Sequence, residues 1–155
     1  MDWGALFHSS NNNSRIIELG EIDTWVRDGI LSLRTIQIGS AQYVNADEYA
    51  PNANGSEDHK SLMAAGMLFL KSMDIEPSHE KTLNGYRVDV TGGNWVIECG
   101  DTNAPPVIHH LRSGIDHVGI LPYQPIEDLI SLYVFERGSN WSIKSRIMNN
   151  GESLD

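Results

Sequence analysis

Cysteine is nearly missing from this chain. Cys99 stands alone, which excludes an intramolecular disulfide and a cysteine-based zinc site. Basic residues are scarce as well: 11 Lys and Arg face 21 Asp and Glu, leaving a net charge of −10. A protein that grips nucleic acid by neutralising phosphates carries the opposite balance, and the same acidity repels anionic membranes. Divalent cations can still invert the field locally, so nucleic-acid chemistry is disfavoured rather than excluded. Long apolar runs are also absent. The longest, Leu62 to Leu70, contains Gly66 and falls well short of the roughly 20 residues that span a bilayer. At the start, Asp2 occupies the place of a leader's basic region and Asn11 to Asn13 follow soon after. The expected location is therefore the cytoplasm, where the sequons at Asn12, Asn54 and Asn140 carry little meaning.

What is present suits one globular domain. The chain has 155 residues, 40% hydrophobic and 21% charged, enough for a single core over residues 1–155. Polar stretches at Ser9–Ser14 and Asn45–Asp58 punctuate it. The second joins an N-terminal elaboration (1–50) to a main core (56–148), because so short a leading piece sustains no core alone. In the elaboration, Ser14 caps a helix running through Ile16, Ile17, Leu19, Ile22, Trp25 and Val26 to Gly29. A strand follows over Ile30–Ile38, with Leu31 and Leu33 on one face and a change of phase before Ile36 and Ile38.

In the core, Ser56 is an N-cap, with Glu57 and Asp58 in the first turn. The helix buries Leu62, Ala65, Phe69 and Met73 on one face and Met63, Met67 and Leu70 on another. After a possible strand at His79–Leu83, Asn84-Gly85 turns the chain into Tyr86–Val90. A tight connection at Thr91–Asn94 then leads to Trp95–Cys99. Asp101, Thr102 and Asn103 offer caps to a proline-led helix that carries Val107, Ile108 and Leu111 and stops at Gly114. Strands at His117–Leu121 and Leu129–Glu136 and an apolar segment at Trp141–Met148 complete the order. The alternation predicts an α/β (α+β) fold, a mixed central sheet flanked by helices.

Two carboxylates draw attention. Asp89 ends one strand and Glu98 lies near the end of its partner. With neighbouring strands about 5 Å apart, both can face one pocket, and paired carboxylates suit a hard cation such as Mg²⁺. Spacing alone favours a plainer reading, rim residues beside turns.

A resemblance bears on the choice. The helix opening Glu57-Asp-His-Lys60, then Gly85-Tyr-Arg-Val-Asp89, then Val96-Ile-Glu-Cys-Gly-Asp101, a helix, and Val118-Gly-Ile-Leu-Pro122 resemble the core of the PD-(D/E)XK nuclease superfamily. The resemblance spans Ser56 to Tyr123 and implies a restriction-endonuclease-like core. It implies Asp89 and Glu98 as ligands of Mg²⁺ and Glu57 as an assisting acid on the helix. The family's lysine, two residues after the glutamate, is Gly100 here. That removes a cation worth several kcal/mol of transition-state stabilisation. His109, His110 and Arg112 on the next helix are the local substitutes. As neighbours in sequence, His109 and His110 diverge around a helix, so one capping or solvent-facing imidazole is the default. Cys99, in an apolar strand beside Glu98, reads as a buried structural thiol.

The expected function is a non-catalytic binding or assembly module on a degenerate nuclease-like scaffold. The alternative is a Mg²⁺-dependent nucleic-acid hydrolase using Asp89, Glu98 and Glu57. The expected partner is another protein or a second copy of the chain. Trp3, Phe7, Trp25 and Trp141 serve either the core, which is favoured, or a dimer contact.

Overall fold

The computed structural model describes residues 22–40, 56–100 and 104–141. The readings at Ser9–Ser14, Ile16–Leu19, Asp101–Asn103 and 142–148, and those at Trp3 and Phe7, lie outside them. Among the described residues are α1 (22–27), β1 (Leu31–Gly39), α2 (Glu57–Ser72), β2 (Ser78–Leu83), β3 (Tyr86–Gly92), β4 (Trp95–Cys99), α3 (Ala104–Arg112), β5 (His117–Leu121) and β6 (Leu129–Arg137). No helix among them is long and apolar enough to cross a membrane.

Ser56 fixes where α2 begins: its hydroxyl accepts the His59 N–H at 3.2 Å, satisfying one orphan donor of the first turn. All three helices end the same way. Ile30, Ile75 and Ile115 each donate their N–H to the carbonyl five residues back, on Trp25, Leu70 and His110. The residue before each isoleucine is left-handed: Gly29, Asp74 and Gly114. This closure satisfies the last carbonyls and folds an apolar residue back onto the helix.

The strands form one sheet in the order β1-β6-β5-β4-β3-β2. Only β4 and β5 run parallel, and α3 is the crossover that a parallel pair requires. The result is the expected mixed sheet with helices on both faces. Hairpin β3–β4 is tighter than expected, since β3 continues through Thr91 and Gly92 and pairs Gly92 with Trp95.

Two apolar clusters separate the layers. On one side, Leu62, Met63, Met67 and Leu70 of α2 pack on Val90, Trp95, Ile97, Leu132 and Val134. On the other, Ile22 and Trp25 of α1 and Val107, Ile108 and Leu111 of α3 cover Leu31, Val118, Ile120 and Phe135. The phase change in β1 is real: Leu33 faces the second cluster and Ile36 and Ile38 the first. Trp25 and Trp141 belong to the second cluster, so for these two the core reading holds. The α2 reading needs one correction. The helix stops at Ser72, Met73 is its 38% exposed C-cap, and Phe69 is only half-buried, edge-on to Trp95 at 5.3 Å.

Candidate functional site

The β3–β4 ladder runs Gly92–Trp95, Thr91–Val96, Val90–Ile97 and then stops. The next opposed residues are Asp89 and Glu98, and there their side chains replace the ladder. Glu98 Oε1 accepts the Asp89 N–H at 3.0 Å, and Asp89 Oδ2 accepts the Cys99 N–H at 2.8 Å. Meanwhile β4 stays with β5 through Cys99 and Leu121, and the Gly100 N–H donates to the Leu121 carbonyl at 2.7 Å. The acids thus bridge the point where β3 parts from β4, each spending one oxygen on a backbone amide of the opposite strand. Such charge-assisted bonds are among the stronger ones in proteins.

The remaining oxygens face imidazoles. Asp89 Oδ1 lies 3.4 Å from His59 Nε2 of α2, and Glu98 Oε2 lies 3.9 Å from His110 Nε2 of α3. Helices on opposite faces therefore each send one histidine to the acid pair. The hydrogen bond to Asp89 holds the His59 pKa above its ordinary value; burial opposes this, and the charges of Asp89, Glu80 and Glu98 add to it. The same two carboxylates act on Cys99, whose thiol is pushed well up by burial first and by Asp89 and Glu98 second. It is the expected inert, buried thiol.

His109 and His110 do diverge, but neither points simply to solvent. His109 donates to the Asn84 carbonyl at 2.6 Å and packs 4.6 Å from the Tyr86 ring. His110 is fully buried, contrary to the capping or solvent-facing default. Its position, three residues after Val107 and beside Leu111, falls on the apolar stripe of α3. Its ring meets Tyr86 edge-on at 5.7 Å, and neither ring nitrogen has a hydrogen-bond partner.

Substitution at Gly100 would strain the backbone and displace a tyrosine ring. Its φ is +87°, and a Cβ there would lie 2.8 Å from Cζ of Tyr123. Tyr123 itself is 43% exposed. Glu57 stands exposed at the start of α2, and it is His59 that meets Asp89.

Neither His59 nor Tyr123 was singled out from the sequence as part of this region, although a signal for each exists. Once Ser56 sets the start of α2, position 59 lies three residues before buried Leu62, on the inward face. Tyr123 follows Pro122 just past the end of β5, and β5 runs parallel to β4, which ends one residue before Gly100.

Mg²⁺ takes a near-octahedral shell of oxygens. Here half the carboxylate oxygens are committed to amides and the others face ring nitrogens. Among the described residues, no group of three or more His, Cys, Asp or Glu is placed to hold a metal ion. The arrangement does not fit Mg²⁺ as it stands; it fits a brace between diverging strands. No protein-family model, no curated protein and no solved structure matches the chain.

Proposed function

We propose that the chain is a non-catalytic binding or assembly module on a scaffold of nuclease type. One observation carries the reading: the position where the resembled family keeps its lysine is a left-handed glycine covered by a tyrosine ring. A side chain there would need a left-handed backbone and a displaced Tyr123 ring, so the cation that would stabilise developing charge is missing from its family position. The engagement of both carboxylates by amides supports the same view. With a net charge of −10, the partner is more readily a protein, or a second copy of this chain, than a polyanion. A cytoplasmic setting suits a protein whose one cysteine is a buried, unpaired thiol.

The hydrolase reading retains two supporting observations. The order α2, β3, β4, α3, β5 follows the resemblance, and His59 and His110 bring basic groups to Asp89 and Glu98. A plasmid-nicking assay in Mg²⁺ and in Mn²⁺ separates the two. The module reading expects no cleavage above buffer by wild type. Robust cleavage that disappears in Asp89→Ala would promote the hydrolase.

A further inference from the structure

Among the described residues the sheet has two edges, β1 and β2. An edge presents unpaired N–H and C=O groups, and proteins that stay single blunt it with lysine, proline, backbone irregularity or short strands. Strand β2 carries such guards. It has six residues, follows Pro77, contains Lys81 and interrupts its ladder at Glu80, which is left-handed at φ 51°. Strand β1 carries none of them. All nine of its residues pair with β6 without a break, and none is left-handed. It holds no lysine, no proline and no acid. Among the described residues nothing pairs with its outer side.

We propose that β1 is a self-association surface: two copies of the chain pair their β1 strands antiparallel about a two-fold axis at Thr35, joining two sheets into one. The proposal rests on the module reading and names its partner as a second copy. Charge selects the place. Two molecules of charge −10 repel, so they meet best along a strip without acids. The one charged side chain in β1 is Arg34, already held by Glu136 at 3.1 Å. Sequence selects the register. Thr35 is the middle residue of the nine, so a two-fold there pairs the strand along its whole length as an isologous contact. Exposed Thr35 then faces its own copy, a favourable cross-strand pair. Arg34 faces Ile36 of the other copy rather than another arginine, and its stem covers that half-buried isoleucine.

The test is sedimentation velocity of the full chain across a concentration series, with hydrogen exchange measured at both ends of the series. Wild type is expected to pass from monomer to dimer. The outward amides of β1 should slow as it does, while those of β2 stay unchanged. Thr35→Lys and Thr35→Glu each set like charges opposite one another and should weaken the dimer by about tenfold or more. An equal mixture of the two variants should restore it, because a two-fold at residue 35 places the opposite charges together. Thr82→Lys, at an exposed position of β2, should leave it unchanged. If circular dichroism finds the Thr35 variants unfolded, the exchange pattern of wild type decides. Monomer at every concentration overturns the proposal yet leaves the module reading standing, since that reading falls to nuclease activity. A dimer indifferent to both Thr35 variants, or protection gained elsewhere than in β1, overturns it as well.

Discussion

A lysine at position 100 would have to adopt a left-handed backbone and displace the Tyr123 ring. The backbone alone costs an L-residue about 1–2 kcal/mol. Gly100→Lys is therefore expected to lower unfolding stability by at least about 1 kcal/mol without creating cleavage. An unchanged denaturation midpoint, or new nicking activity, would show that the site is open after all. A second residue-scale expectation concerns Glu136. It accepts from Arg34 at 3.1 and 3.4 Å and lies 2.5 Å from His117 Nδ1, whose ring stacks on Trp95 at 4.6 Å. Burial pushes the Glu136 pKa up, but its bonds to Arg34 and His117 reverse that and leave it below the ordinary 4.5. The folded state therefore holds this proton less tightly than the unfolded one. The stabilisation is complete above about pH 4.5 and is lost as pH falls through the lower folded value. Glu136→Gln should lower stability at neutral pH and flatten the decline below about pH 4.5, followed by urea midpoints across that range. Parallel curves for the two proteins would contradict the pairing. At this scale the sequence placed Asp89 and Glu98 together but did not reveal what they do. Their bonds go to backbone amides, and those are free only because two strands part company there.

At the scale of elements, α2 shows both the reach and the limit of periodicity. Its buried run of Leu62, Met63, Ala65, Met67 and Leu70 was legible from spacing. Its last turn was not, because the helix closes through left-handed Asp74 rather than glycine and leaves Met73 outside. Phe69→Ala is accordingly expected to cost about 1.5–3 kcal/mol, less than a fully buried aromatic loses. Leu70→Ala should cost more, about 2–5 kcal/mol. The reverse ranking in chemical denaturation would show that the inward face has been misassigned. Gly66 offers a gain. It lies within α2 against Ile97 and Val90, and a Cβ there would meet them at 3.5–3.6 Å, ordinary contact distances. Gly66→Ala should therefore stabilise by up to about 1 kcal/mol through helix propensity. A loss instead would mean that α2 and the sheet have no slack.

For the whole molecule, the succession of helices and strands was readable because each carries its own period and its own punctuation. The order of strands in the sheet was not. Whether β1 joins beyond β6, or β4 runs parallel to β5, is decided by which apolar faces meet across long stretches of chain. That the Tyr123 ring lies against Gly100 was likewise not legible, since the tyrosine arrives from the end of another strand. Asp89 and Glu98 each bond a backbone amide across the point where β3 and β4 part, and stability measurements tell a brace from a catalytic pair. Catalytic acids usually store strain and repulsion, so removing them tends to stabilise a protein. Removing a brace orphans an amide and costs about 1–3 kcal/mol. The most direct measurement is the unfolding free energy of Asp89→Ala and Glu98→Ala beside Asp89→Asn, which keeps an accepting oxygen. Loss in both alanine variants with recovery in the asparagine one is the expected result. Alanine variants as stable as wild type, or more so, would contradict it.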